Sequence, residues 1–156
     1  MKVEKAKITD AREVYEFIRK YASKGVVLPR PISEIYEKIR EFFVVRKNRK
    51  IIGTVALHIV WEDIAEVRSL IVDEKMRGKG IGKNLLNAAL GEARKLKIPK
   101  VFALTREPEF FARFGFKKVS KNKLPQKVWA DCINCPLFPD HCDEVPVIIY
   151  LEKNST

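Results

Sequence analysis

Hydrophobic positions follow two spacings along this chain, one helical and the other extended. Near the start, Val14, Phe17 and Ile18 recur every three or four residues after Asp10, which can cap a helix. Short apolar runs bounded by turn-forming residues predict strands, because strands favour β-branched and aromatic side chains. The patterns predict strands over residues 3–8, 42–45, 51–60, 64–72, 101–104 and 145–151, and helices over 10–25, 33–39, 81–96 and 108–114.

With one further strand before the last, whose bounds the pattern does not set, the order of the elements is β-α-α-β-β-β-α-β-α-β-β, and this order indicates the fold class. A strand, a helix and a second strand in succession form a crossover, so we expect residues 64–72 and 101–104 to be parallel neighbours. Short turns join the three strands before that crossover and predict an antiparallel meander. We therefore expect an α/β (α+β) fold with a mixed central sheet, in one domain over residues 1–156.

Composition and charge narrow the classes of partner. Hydrophobic residues make up 46% of the chain and charged residues 33%, which predicts a soluble globular protein. No apolar run approaches the roughly 20 residues that cross a bilayer, and the N-terminus has no apolar signal core. We therefore expect a cytoplasmic protein without a membrane partner. A net charge of +11 suits an anionic ligand, but the 31 basic residues are spread along the chain, so we expect no nucleic-acid partner.

The stretch Arg77-Gly78-Lys79-Gly80-Ile81-Gly82 precedes the most regular helical pattern. Its glycines let the backbone approach a ligand, and a helix starting there directs unpaired N–H groups and a positive dipole at one point. Phosphate groups commonly bind at such points. Lys83 replaces the third glycine of a dinucleotide fingerprint, and Asn84 replaces the Ser or Thr of a P-loop. The stretch predicts a pyrophosphate site; a helix start with solvated lysines is the alternative.

The pattern Arg77-x-x-Gly80-x-Gly82, preceded by the strand Leu70-Ile71-Val72, resembles the acetyl-coenzyme A loop of the GNAT superfamily of N-acetyltransferases. The element order is also that of the GNAT fold, with splayed central strands and a central helix that begins at the glycine loop. The resemblance implies an enzyme that uses acetyl-coenzyme A (acetyl-CoA) and a small-molecule amine. The residues that it assigns to acetyl-CoA are Leu70, Ile71, Val72, Arg77, Gly78, Lys79, Gly80, Ile81, Gly82 and Phe111.

The resemblance also implies a route for acetyl transfer. In GNAT enzymes the strand before the loop is bulged, so that a backbone N–H near Leu70 or Ile71 would stabilise the oxyanion. Several of these enzymes carry a glutamate six residues before the end of that strand, and Glu66 is the matching residue and the candidate general base. An ion pair with Arg68 is the alternative role for Glu66, and His58 is the alternative base.

The acid that protonates the leaving thiolate is not evident from the sequence. Many GNAT enzymes carry a tyrosine in the helix before the closing Gly-Phe, but Phe111 stands at that position and has no proton to donate. Either water assists the thiolate or another donor reaches it, with Tyr36 and Tyr150 as candidates. Phe111 then either packs against pantetheine or belongs to the core.

Further segments narrow the acceptor. Residues 25–30, 43–45, 52–57, 101–105 and 114–116 resemble the acetyltransferase domain of N-acetylglutamate synthases. That family binds the α-carboxylate of glutamate with an arginine after the first helix; Arg30 is the matching residue, and an exposed loop arginine is the alternative. The implied acceptor is the α-amino group of glutamate or a related amino acid, in arginine biosynthesis. Asp143-Glu144 stands where better-known members carry Arg and Ser, so a polyamine, peptide or protein amine is the alternative acceptor.

The cysteine-rich segment leaves several interpretations open. Cys132 and Cys135 form a Cys-x-x-Cys pair that could bind zinc with His141 and Cys142, but the latter two are adjacent and rarely reach one ion. A disulfide and free thiols are the alternatives, and we assign no metal. A non-catalytic acetyl-CoA sensor and a nucleic-acid binder with a zinc knuckle are other classes of function. The sequence also leaves a homodimer open.

Overall fold

The computed structural model describes residues 1–125 and 144–151. Within them the chain forms seven strands and four α-helices, with short 3-10 turns between some of them. The strands are β1 (Val3–Lys5), β2 (Phe42–Lys47), β3 (Lys50–Trp61), β4 (Ile64–Val72), β5 (Lys100–Thr105), β6 (Lys117–Lys118) and β7 (Val145–Tyr150). The helices are α1 (Ala11–Ala22), α2 (Ile32–Glu37), α3 (Ile81–Lys95) and α4 (Pro108–Ala112).

The strands form one mixed sheet in the order β1-β2-β3-β4-β5-β7-β6. β4 and β5 run parallel, with residue pairs from Ile64–Lys100 to Glu66–Phe102. The pairs β1–β2, β2–β3, β5–β7 and β6–β7 are antiparallel. The predicted α/β class, the mixed sheet and the parallel crossover are therefore confirmed. The parallel register ends at Glu66, although β4 itself continues to Val72.

Residues 1–58 and 67–92 form one compact unit. Its first helix, α1, buries Val14, Ile18 and Tyr21, because these positions follow the helical repeat and share one face. They belong to a single hydrophobic cluster with buried residues of α2, β2, β3 and β4. Burying one large apolar side chain contributes about 1.5–3 kcal/mol, so this cluster holds α1 and α2 against the strands.

A second compact unit comprises residues 59–66 and 93–156, of which 126–143 and 152–156 lie outside the described residues. Its central strand, β5, buries three consecutive residues from Val101 to Ala103. A continuous apolar run of this kind is typical of a strand covered on both faces. The hydrophobic cluster of this unit contains Val60, Ile64, Phe102, Leu124 and Ile148.

Some element ends differ from the prediction because local backbone geometry competes with the hydrophobic repeat. α1 ends at Ala22 rather than near Gly25, and Gly25 lies beyond it with a φ of 76°, where its N–H donates to the carbonyl of Ala22 at 3.0 Å. α2 begins at Ile32 rather than after Ser33. The residue before it is Pro31, whose fixed φ suits the entry to a helix.

Gly53 on β3 marks a close approach between the sheet and α3. A Cβ at this position would lie 3.0 Å from Leu85 Cδ1 and 3.3 Å from Ile81 Cγ2. It would also lie 3.4 Å from the carbonyl oxygen of Ile71 on β4. Leu85 and Ile81 are both buried and have little room to move. The missing side chain at position 53 therefore lets the first turns of α3 pack directly onto β3 and β4.

We expect Gly53→Ala to lower the free energy of unfolding by about 1–3 kcal/mol, because the added methyl group overpacks a buried contact. Urea denaturation followed by circular dichroism measures the change. Gly91→Ala is the matched control: Gly91 lies within α3, and its added Cβ would meet nothing within 4 Å. The control should leave stability unchanged or raise it by up to about 1 kcal/mol. Equal effects of the two variants would contradict the close approach at Gly53.

Candidate functional site

The glycine loop adopts a backbone that only glycine accepts readily. Gly78 and Gly80 both have a φ of 80°, in the left-handed region. A Cβ added at either position would meet nothing within 4 Å, so the space beside both residues is open. Arg77 and Lys79 alternate with these glycines and are exposed. The loop thus combines a bare backbone, open space and positive charge.

The helix that follows the loop starts at Ile81, and the carbonyl of Gly80 accepts from the N–H of Asn84 at 3.1 Å. The N–H groups of its first residues have no partner within a helix and carry the positive end of the helix dipole. The first turn of α3, which the structure describes in full, contains no acidic residue that would compete with an anion. The start of α3 therefore has the open backbone and positive potential from which a diphosphate site is predicted, and the site over residues 77–82 stays a prediction.

Contacts with α1 hold the turn that precedes the loop. The N–H of Glu74 donates to the hydroxyl of buried Tyr21 at 3.0 Å. Lys24 Nζ lies 2.5 Å from Glu74 Oε1. Their hydrogen bond raises the pKa of Lys24 and lowers the pKa of Glu74, with smaller contributions from the opposite charges. The entry to the glycine loop is thus fixed from the same unit that contains the loop.

β4 has an irregular backbone at Ser69, whose φ of 52° is unusual for a residue other than glycine in a strand. The hydroxyl of buried Thr54 donates to the carbonyl of Ser69 at 2.9 Å. Bonding to β3 is present beyond this point, where the N–H of Asp73 donates to the carbonyl of Ile52 at 2.7 Å. A local change of this kind redirects the following backbone groups. The irregularity lies one residue before Leu70, the first residue of the predicted bulged segment.

Glu66, the candidate base, lies on β4 in register with Phe102 of β5 and is only 7% exposed. A carboxylate at this depth is costly unless a polar partner compensates it. Few acidic residues are buried to this extent, and those that are frequently serve a site. His58, the alternative base, has its Nδ1 3.0 Å from Glu41 Oε2. The burial of Glu66 and the contact between His58 and Glu41 are each compatible with a general base, so both residues stay candidates for that role.

A small pocket, open to solvent, lies within the unit formed by residues 1–58 and 67–92. It is enclosed by the segment after α1, by α2 and by β2, β3 and β4. Its lining consists of Arg30, Glu34, Ile35, Lys38, Glu41, Phe42, Ala56, Arg68 and Ser69. The predicted carboxylate ligand Arg30 thus shares a pocket with the irregular residue of β4.

Cations outnumber anions around the carboxylate of Glu34 in this pocket. Glu34 Oε1 lies 3.0 Å from Lys38 Nζ and 3.5 Å from Arg30 Nη1. The same oxygen lies 4.0 Å from Arg68 Nη1. The side chains of Arg30 and Arg68 are each 12% exposed, so Arg30 is not the exposed loop arginine of the alternative interpretation. The arrangement favours an anionic ligand over a cationic one.

Phe111 on α4 lies in an aromatic cluster. It is buried, and its ring meets those of Phe110 and Phe116 edge-on, with centroids 5.3 and 5.1 Å apart. This packing agrees with a core role, and its predicted contact with pantetheine stays a prediction. Tyr36 and Tyr150, the candidate acids, are 40% and 68% exposed.

The zinc candidates Cys132, Cys135, His141 and Cys142 lie outside the described residues. Within residues 1–125 and 144–151, no cluster of three or more His, Cys, Asp or Glu side chains could hold a metal ion. Over the same residues, no helix is both long and apolar enough to cross a bilayer.

Several features of the site were not predicted from the sequence. Glu34 and Lys38 are spaced as ion-pair partners on one helical turn, which is a signal that sequence reasoning could have used. The convergence of Arg68 on the same carboxylate carries no such signal, because it depends on the packing of α2 against β4. The positive φ of Ser69 could not be predicted either, because serine is not a residue type that favours a positive φ.

The chain matches the family model described as "Acetyltransferase (GNAT) family" over residues 11–116. It is 38% identical over 146 residues to an uncharacterized N-acetyltransferase from Chlorobaculum tepidum, covering 94% of each chain. It is 35% identical over 130 residues to an amino-acid acetyltransferase from Mycobacterium tuberculosis, covering 81% of this chain and 74% of the relative.

Solved structures agree with this relationship. A Mycobacterium tuberculosis protein in complex with CoA and NLQ superposes with a TM-score of 0.83 at 28% identity, covering 97% of this chain and all (100%) of that one. The N-acetylglutamate synthase from Neisseria gonorrhoeae, complexed with coenzyme A and N-acetyl-glutamate, gives a TM-score of 0.86 at 24% identity. This second likeness concerns the fold alone, and the match covers 97% of this chain and 35% of that one.

We expect Gly80→Ala to weaken coenzyme A binding by roughly tenfold or more, because the left-handed conformation of an L-residue costs about 1–2 kcal/mol. In addition, the methyl group would enter the open space beside the loop. Isothermal titration with coenzyme A measures the affinity. Gly91→Ala, on the same helix but away from the loop, should bind coenzyme A like the wild type. Unchanged affinity of Gly80→Ala would contradict a diphosphate site at this loop.

Proposed function

Because this chain belongs to the GNAT acetyltransferase family, and is therefore an N-acetyltransferase that uses acetyl-CoA, we propose that its acceptor is the α-amino group of an amino acid, with glutamate as the first candidate. The pocket around Arg30 carries this proposal. Its lining carries two largely buried guanidinium groups and one ammonium group against the two carboxylates of Glu34 and Glu41. Because cations outnumber anions in this lining, the pocket favours an acceptor that carries a carboxylate.

We assign acetyl-CoA to the glycine loop and to β4. The N–H groups of residues 78–82 and the side chains of Arg77 and Lys79 bind the diphosphate. Backbone N–H groups near Leu70 and Ile71, directly after the irregular Ser69, donate to the thioester carbonyl oxygen and stabilise the oxyanion. Acetyl-CoA supplies the activated acetyl group.

Glu66 accepts a proton from the acceptor ammonium, because only a neutral amine has the lone pair that attacks the thioester. The nitrogen then bonds to the carbonyl carbon, and the carbon–sulfur bond breaks with the electron pair on sulfur. A proton leaves the attacking nitrogen and reaches that sulfur directly or through water, which gives the amide and free coenzyme A. The burial of Glu66 on β4 supports this role, because acidic side chains are seldom buried to this depth. His58, oriented through Nδ1 by Glu41, is the alternative base.

Arg30 binds the α-carboxylate of the acceptor through its guanidinium fork. Only 12% of its side chain is exposed, and its contact with Glu34 orients the guanidinium group before the acceptor arrives, which supports this role. The excess of cations opposes a polyamine, which would bring further positive charge into the pocket. The relative named amino-acid acetyltransferase also favours an amino acid over a peptide or protein amine.

Other predictions depend on the acceptor or await separate tests. A role in arginine biosynthesis follows only if glutamate is the acceptor. A cytoplasmic location, a homodimer and the lack of a nucleic-acid partner stay predictions.

An acceptor screen with thiol release as the readout tests the proposal. Glutamate, glutamine, a polyamine and a short peptide are compared at millimolar concentration with acetyl-CoA in excess. We expect turnover with the amino acids and little with the polyamine. Turnover of the polyamine or the peptide alone would contradict an amino-acid acceptor, and coenzyme A binding without any turnover would favour a sensor.

We expect Glu66→Gln to lower kcat by about 10²–10⁴-fold, the usual contribution of a general base, while coenzyme A affinity stays unchanged. Stopped-time thiol release and isothermal titration measure the two quantities. Glu62→Gln is the matched control, because Glu62 is exposed in the turn that precedes β4. A Glu66→Gln variant that keeps wild-type kcat and its pH profile would remove Glu66 as the base. The same test on His58→Gln then examines the alternative.

A further inference from the structure

Arg30 and Arg68 reach one carboxylate oxygen from different parts of the fold. Arg30 belongs to the segment after α1, and Arg68 belongs to β4. Their Nη1 atoms lie 3.5 and 4.0 Å from Glu34 Oε1, and both side chains are 12% exposed. Two guanidinium groups buried around one point form a site shaped for a carboxylate, because each presents paired donors in a plane.

Glu34 itself is held most closely by Lys38, at 3.0 Å, and the two lie one helical turn apart. Its contacts with the two arginines are longer and stand at or beyond the limit of a hydrogen bond. Glu34 can therefore keep its partner Lys38 while another carboxylate takes the position between the arginines. Glu34 would then face Lys38, and the carboxylate of the acceptor would face the two arginines.

We propose that Arg68 is a second ligand for the α-carboxylate of the acceptor, acting together with Arg30, and that Glu34 occupies this position until the acceptor binds. The inference rests on the proposed amino-acid acceptor.

The position of Arg68 on β4 links acceptor recognition to the acetyl donor. Arg68 directly precedes Ser69, which lines the same pocket and has the positive φ that precedes Leu70. The strand that orients the α-carboxylate is thus the strand whose backbone N–H groups are assigned to the thioester oxygen. A carboxylate bound at Arg68 would align the α-amino group with that strand, so Arg68 contributes to positioning as well as to affinity.

Substrate analogues separate the α-carboxylate from the side-chain carboxylate in the test. 4-Aminobutyrate is glutamate without its α-carboxylate, and glutamine is glutamate without its side-chain charge. For Arg68→Met we expect the ratio of kcat/KM for glutamate over 4-aminobutyrate to fall roughly tenfold to a hundredfold, as loss of a charge-assisted hydrogen bond predicts. The ratio for glutamate over glutamine should stay unchanged, as should coenzyme A affinity. Arg68→Lys, which keeps the charge without the fork, should recover part of the loss.

Arg40→Met is the matched control, because Arg40 is exposed on the turn that follows α2 and its side chain does not line the pocket. It should leave both substrate ratios at the wild-type value. Glu34→Gln tests whether Glu34 occupies the position between the arginines in the free protein. We expect the KM for glutamate to fall severalfold, because a competing charge is removed. A rise in that KM would overturn the role of Glu34 as an occupant.

The outcomes distinguish this inference from the proposed function. A wild-type protein that acetylates no amino acid would overturn both. A wild-type preference for glutamate over 4-aminobutyrate that Arg68→Met retains in full would overturn only the role of Arg68. A fall confined to the ratio of kcat/KM for glutamate over glutamine would show that Arg68 binds the side-chain carboxylate, which contradicts the proposal. Thermal unfolding of each variant verifies that the change in ratio is measured on folded protein.

Discussion

The close approach of α3 to β3 and β4 at Gly53 is the constraint on which the candidate site depends. A side chain at this position would meet Leu85 and Ile81 on the helix and the carbonyl of Ile71 on β4. Because it has none, the first turns of α3 pack beside the end of β4. The N–H groups at the start of the helix and the redirected backbone after Ser69 then lie on elements that pack directly together, which suits an extended ligand such as acetyl-CoA.

The acceptor pocket depends on a different constraint, the cost of burying charge. Two arginine side chains at 12% exposure are costly to bury without an anion, and Glu34 supplies one in the free protein. Under the proposed function, the same requirement would make the pocket selective, because an acceptor with a carboxylate could take the position of Glu34. A cationic acceptor would instead add to the positive charge of the pocket.

Patterns among residues that are close together in the sequence predicted much of this structure. The helical repeat of Val14, Ile18 and Tyr21 predicted α1, and the glycine spacing predicted a loop that opens a helix. The parallel pairing of β4 with β5 followed from the crossover rule and was confirmed. These features could be predicted because each depends on a few neighbouring residues or on a rule of chain connection.

The remaining features depend on tertiary packing that no local pattern encodes. Arg68 meets Glu34 only because α2 lies against β4, and the two residues are far apart in the sequence. Serine at position 69 gives no indication of a positive φ, which the buried hydroxyl of Thr54 supports from β3. The role of Gly53 likewise appears only when α3 is in place. The resemblance predicted a bulged strand, but the geometry locates its irregular residue.

A crystal structure of this protein with coenzyme A bound tests the central claim most directly. The account predicts that oxygens of the diphosphate lie about 2.7–3.2 Å from backbone nitrogens between Gly78 and Gly82, with the thiol end directed along β4 after Ser69. A diphosphate bound elsewhere on the chain, with the start of α3 covered by side chains, would contradict it.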